Sequence, residues 1–79
     1  MYVIFAKSSC PYCEMAEGLL EEKSLPHRII NFSDDQEHIL SEIKSSHNWK
    51  TVPMIFLKKD GLSSFIGGYT DLCKVLENE

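Results

Sequence analysis

Cys10-Pro11-Tyr12-Cys13 sets two thiols at a C-x-x-C spacing, just after a short apolar run and at the start of an amphipathic one. Thiols so spaced can close a small disulfide ring and reopen it, chemistry that passes through a thiolate nucleophile and a mixed disulfide. At a strand-to-helix junction the first sulfur faces unpaired backbone N–H groups and the positive end of the helix dipole. These favour its thiolate by about 0.3–1 kcal/mol in exposed settings and up to about 2 kcal/mol when partly buried. Lys7, just upstream, adds a positive charge. Cys10 is therefore the expected attacking sulfur, titrating well below the free-thiol value of about 8.5. Cys13 lies one turn further in, more shielded, and is the expected resolving thiol.

Other uses of the pair fit less well. The chain opens MYVIFAKSS, whose apolar run is too short for a signal peptide and lacks a basic start, and no later stretch is long enough to span a bilayer. The expectation is a cytoplasmic protein without a membrane partner, in a compartment where structural disulfides are rare. Half a zinc site calls for a second cysteine pair or paired histidines, and His27, His38 and His47 do not have that spacing, so no metal is expected. The third cysteine, Cys73, reads as a bystander in the core of the last helix. A net charge of −4 without a basic stripe argues against nucleic acid and leaves a solvated acidic surface.

The elements that must position the pair are legible from patterning. Seventy-nine residues with 43% hydrophobic content suit a single domain over 1–79 with a modest core. Residues 2–6 form a continuous β-prone run, as expected of a central strand buried on both faces. From Pro11, suited to a first helical position, Cys13, Ala16, Leu19 and Leu20 make one apolar stripe and the glutamates face water. His27 to Phe32 reads as a second strand, and Ser33 with Gln36 as a capping box opening a second helix on Ile39, Leu40 and Ile43. Val52 to Leu57 reads as a strand, Asp60-Gly61 as a hairpin turn, and Ser63 to Ile66 as a fourth strand. A last helix from about Thr70 buries Leu72, Cys73 and Leu76. The order βαβαββα predicts an α/β fold: a right-handed parallel crossover, then an antiparallel hairpin, in a four-stranded mixed sheet flanked by three helices.

With Thr51-Val52-Pro53 and Gly67-Gly68-Tyr69-Thr70-Asp71 at the right distances from Cys-Pro-Tyr-Cys, the whole chain resembles the dithiol glutaredoxins, a branch of the thioredoxin-like fold. The resemblance implies glutathione as co-substrate and reductant. It implies that Pro53 is a cis-proline facing the cysteines, where sequence alone would read an edge-strand proline. It leaves the Val52 backbone to pair with the glutathione peptide as an added strand. Gly68, Tyr69, Thr70 and Asp71 then hold the γ-glutamyl end at a helix N-terminus, where Thr and Asp otherwise serve as caps. Lys7 contacts the carboxylate end, Tyr12 packs on the ligand, and Thr51 flanks it. Lys50 is a candidate for the glycyl carboxylate. Trp49 is unusual at its position, and either packs over the end of the sheet or stands exposed for a partner.

The function so implied is a monomeric glutathione-dependent thiol–disulfide oxidoreductase, active in electron transport and cell redox homeostasis. It reduces glutathionylated proteins and protein disulfides through Cys10, with Cys13 resolving. The alternatives are a dedicated electron donor to ribonucleotide reductase and an iron–sulfur carrier using Cys10 and glutathione, the latter disfavoured by the stiff Pro11.

Overall fold

The run from Tyr2 to Lys7 forms the first strand, β1, and its alternating side chains serve two cores at once. Tyr2, Ile4 and Ala6 point to one face of the sheet, where they pack with Ala16, Leu20, Ile55, Leu72 and Leu76. Val3 and, at the margin, Phe5 point to the other, with Phe32, Leu40, Met54 and Phe56. A strand buried on both faces belongs inside the sheet. The computed structural model, which describes residues 1–78, places it there.

The elements follow as α1 (Pro11–Glu22), β2 (His27–Phe32), a 3-10 turn (Asp34–Gln36), α2 (Glu37–Ser46), β3 (Met54–Lys59), β4 (Leu62–Gly67) and α3 (Tyr69–Glu77). The sheet order is β2-β1-β3-β4. β1 runs parallel to β2, with Ile4 opposite Ile29, and antiparallel to β3, with Ile4 opposite Ile55. β3 and β4 form the hairpin, whose turn residues Asp60 and Gly61 take φ of 54° and 80°, as a tight two-residue hairpin loop requires. α1 and α3 cover one face and α2 the other. This is the four-stranded mixed sheet with three helices that the sequence predicts.

The structure departs from the sequence expectation in places. β3 begins at Met54, not Val52, because the Val52–Pro53 bond is cis and Pro53 has no N–H for a ladder. Ser33 and Gln36 do interact, Ser33 N–H donating to Gln36 Oε1 at 3.1 Å, but they brace the 3-10 turn, and the α-helix starts only at Glu37. Ile39 is exposed, so α2 rests on the fully buried Leu40 with Ile43 half-buried. Cys73 is half-buried beside Leu76 and Lys23, not in the core. It falls one position past Leu72, about 100° around the helix from that residue. No helix among the described residues is long and apolar enough to cross a membrane.

Candidate functional site

Cys10 is the N-cap of α1. Its backbone is extended (φ −106°, ψ 107°), and Pro11 follows in the first helical position. Ser9, just before it, sits at φ 59° and turns the chain out of β1 into the helix. The Cys10 carbonyl oxygen accepts the first helical bonds, from the N–H groups of Cys13 and Glu14, each at 3.1 Å. The Cys13 N–H also points at Cys10 Sγ, 3.3 Å away. A helix-terminal donor aimed at a sulfur steadies negative charge there.

The two thiols sit in different surroundings. Cys10 is partly exposed, whereas Cys13 is only 2% accessible and belongs to the core that α1 shares with β1 and α3. Burial, with the hydrogen bond to Cys10, pushes the Cys13 thiol up to about 12, against a weaker opposing hydrogen bond to the Lys7 backbone. Cys13 therefore stays a protonated thiol at neutral pH. We predict that iodoacetamide at pH 7 alkylates Cys10 and leaves Cys13 unmodified until denaturant is added, as peptide mass spectrometry would show. Alkylation of both at equal rates in the folded protein would contradict the burial argument.

On the other side of Cys10, its Sγ lies 3.9 Å from the Val52 carbonyl oxygen. From there a groove of about 300 Å³ opens, lined by Tyr12, Trp49, Thr51, Val52, Pro53, Gly68, Tyr69, Thr70 and Asp71. Eight of these residues were singled out from sequence, and three separate segments bring them together: the start of α1, the loop into β3, and the start of α3. The α3 end is built around glycine. Gly67 has φ of 126°, and a Cβ there would press into the Asp71 carboxylate, so only glycine fits. Asp71 Oδ2 accepts the Gly68 N–H at 3.0 Å, and the Leu72 N–H donates to the Gly68 carbonyl oxygen at 3.0 Å. Asp71 is thus a cap of α3 as well as a wall of the groove. The rings of Tyr12 and Tyr69 lie 6.1 Å apart across its mouth. The Tyr69 hydroxyl is pushed above its ordinary range by its hydrogen bond to Cys73.

Lys7 stands apart from this groove. It lines a second cavity, with Cys10, Cys13, Glu14 and Asn31. Its ammonium is engaged by Glu37 and lies 3.6 Å from Asp34. The contact holds Lys7 above and Glu37 below their usual ranges. The charge expected to act on Cys10 is shared with two carboxylates. Lys50 lies in a further cavity with Lys44 and Ser41, not in the groove. Trp49 is the groove residue that sequence left undecided. Its place two residues before Thr51-Val52-Pro53 was the available signal. Outside the cysteine pair, Glu17, Glu21 and His27 bring metal-ligand atom types within 4.8 Å of one another. His27 Nδ1 is tied to the Leu25 carbonyl oxygen at 2.8 Å and Nε2 faces Glu21 at 4.0 Å, an arrangement that a surface ion pair explains.

A C-x-x-C pair capping the first helix of this mixed sheet, with a cis-proline loop against it, defines a thioredoxin-like thiol–disulfide architecture. The glutaredoxin family profile matches residues 2–62. Glutaredoxin-2 of Schizosaccharomyces pombe is 37% identical over 78 residues, an alignment covering 91% of this chain and 64% of the relative. A wheat glutaredoxin structure superposes with a TM-score of 0.83 at 25% identity, covering 98% of this chain and 69% of that one. A dithiolic glutaredoxin of Trypanosoma brucei brucei superposes at 0.72 with 32% identity, covering 98% and 77%. The chain belongs to the glutaredoxin family, a family of thiol–disulfide oxidoreductases. It spans less than two thirds of the length of the yeast relative.

Proposed function

We propose that residues 1–79 act as one domain that uses glutathione to reduce protein–glutathione mixed disulfides and protein disulfides. The observation that carries this reading is the groove that begins 3.9 Å from Cys10 Sγ, at the Val52 carbonyl oxygen, and ends at the first turn of α3. Glutathione is a short extended peptide with a carboxylate at each end. Val52, just ahead of β3, offers backbone groups to which an extended peptide can add, and the start of α3 offers N–H groups to the γ-glutamyl carboxylate. Thr70 and Asp71 hold that end, Asp71 facing the ligand's ammonium group. Tyr12, Thr51, Pro53, Gly68 and Tyr69 form the walls. Lys7 takes the other carboxylate only by exchanging Glu37 for it.

In the reaction, the Cys10 thiolate attacks the glutathione sulfur of a mixed disulfide. The old S–S bond breaks, the protein leaves as a thiolate, and Cys10–S–S–glutathione forms. A second glutathione thiolate attacks the bound glutathione sulfur, giving oxidised glutathione and restoring the Cys10 thiolate. With a protein disulfide, Cys10 instead forms a mixed disulfide with the substrate. Cys13 then loses its proton as it attacks the Cys10 sulfur, and the second substrate thiol is released. The Cys10–Cys13 disulfide is reopened by two glutathiones. This chemistry suits a compartment where thiols are kept reduced.

The test is to glutathionylate Cys10 in a Cys13→Ser variant and compare amide NMR spectra with and without the adduct. Shifts are expected at Tyr12, Val52, Thr70 and Asp71. Shifts at Glu17, Ile29 and Asn31 with none at Thr70 and Asp71 would move the ligand to the other cavity and overturn the reading.

A further inference from the structure

Trp49 is the chain's one tryptophan, and packing alone does not account for it. Its ring meets Phe65 edge-on, with centroids 5.2 Å apart. Its indole Nε1–H is buried without a hydrogen-bond partner among the described residues. A buried donor left unpaired costs stability, and a phenylalanine would meet Phe65 without that cost. What the larger indole adds is reach. Its Cζ2 stands 3.5 Å from where a Cβ on Gly68 would be, so the ring closes against the backbone that opens α3. There it lines two cavities at once: the groove beside Cys10, and behind it a cavity of about 380 Å³ that holds Lys44, Lys50, Ser41 and Asn48. The two cavities have no other lining residue in common.

We propose that Trp49 is the specificity-determining wall of the groove: it ends the space open to the γ-glutamyl part of a bound thiol and shuts off the lysine-lined cavity behind. The proposal rests on the glutathione reading above. Thiols of glutathione's length fit against the ring. A thiol extended by another γ-glutamyl residue on its α-amino group turns the ammonium facing Asp71 into an amide and drives a further carboxylate into the ring. With the indole removed, that carboxylate reaches Lys44 and Lys50, neither of which is in a salt bridge among the described residues. The wall therefore discriminates by blocking a favourable ion pair as well as by size.

The experiment compares mixed disulfides of one peptide with glutathione, with γ-glutamylglutathione and with plain cysteine, each reduced using glutathione. Wild type, Trp49→Phe and Trp49→Ala are assayed. Wild type should favour the glutathione over the extended disulfide by about tenfold in kcat/KM, and Trp49→Ala should narrow this to about twofold. The change should lie in KM for the extended substrate. Trp49→Phe, which keeps a shorter ring on Phe65, should fall between. The single indole gives a readout independent of turnover, since its emission should shift when Cys10 is glutathionylated. Equal use of the two disulfides by wild type, or a preference of undiminished size in Trp49→Ala, overturns the wall. If the glutathione disulfide reacts no faster than the cysteine one and the emission does not move, the glutathione reading itself fails and takes the wall with it.

Discussion

Cys10→Ser should lower reduction of both a glutathionylated peptide and a protein disulfide to background, on the order of 10³-fold or more below wild type. Cys13→Ser should keep the first activity within about an order of magnitude of wild type and lose the second. The asymmetry follows from the geometry. Cys10 is the sulfur at the surface, with the Cys13 N–H aimed at it from 3.3 Å. Serine in its place puts a far weaker nucleophile at the same spot. Cys13 is only 2% accessible, and its thiol is pushed up to about 12, so no external disulfide reaches it first. Its use begins when a mixed disulfide already stands on Cys10, one helical turn away. On the proposed route a glutathione adduct would not need it, because a second glutathione would attack from solvent. A coupled assay with each substrate on the two variants checks this. If Cys13→Ser is as inactive as Cys10→Ser on the glutathionylated peptide, the single-thiol route is wrong.

The unequal placement of the two thiols was readable from the spacing, because a strand-to-helix junction dictates which residue caps and which lies a turn inside. Strand and helix order was readable for the same reason: an unbroken apolar run in β1, a 3.6-residue stripe in α1, and an Asp-Gly turn each leave one local solution. What the residues alone did not yield was longer-range. The cis bond before Pro53 is a choice between two isomers of similar energy, so the expectation came from the family resemblance. The pairing of Lys7 with Glu37 joins residues on different elements, and nothing in either segment signals it. Cys73 was misplaced because a nine-residue helix with two buried positions has a narrow stripe, and one residue of error moves a side chain off it. Trp49 was undecided because its place depends on how α2, the loop into β3 and α3 meet.

On α3, Leu72→Ala is a substitution with a large expected cost to the fold. Leu72 is fully buried between α1 and the sheet, in one core with Ala16, Leu20 and Ile55; Leu76 is the other buried residue of α3, and Tyr69 packs at the margin of the same core. Removing such a leucine side chain costs about 2–5 kcal/mol in lost burial and cavity formation. At about 0.05–0.15 kcal/mol per residue, a chain of this size is stable by about 4–12 kcal/mol, so the loss approaches half of the total. The effect should also be local, because Leu72 directly follows Thr70 and Asp71, and the Leu72 N–H makes the bond to the Gly68 carbonyl oxygen that starts the helix. Phe32→Ala is the control. It empties the core on the face of the sheet opposite α3, at a comparable cost of about 3–5 kcal/mol. Urea unfolding should place both variants well below wild type with similar slopes. Amide exchange under native conditions should then separate them, with α3 protection collapsing in Leu72→Ala and persisting in Phe32→Ala. A Leu72→Ala protein within about 1 kcal/mol of wild type would mean that α3 is held by something other than its two buried leucines. Equal loss of α3 protection in both variants would mean that the two faces of the sheet unfold as one, and that the groove cannot loosen without the whole domain.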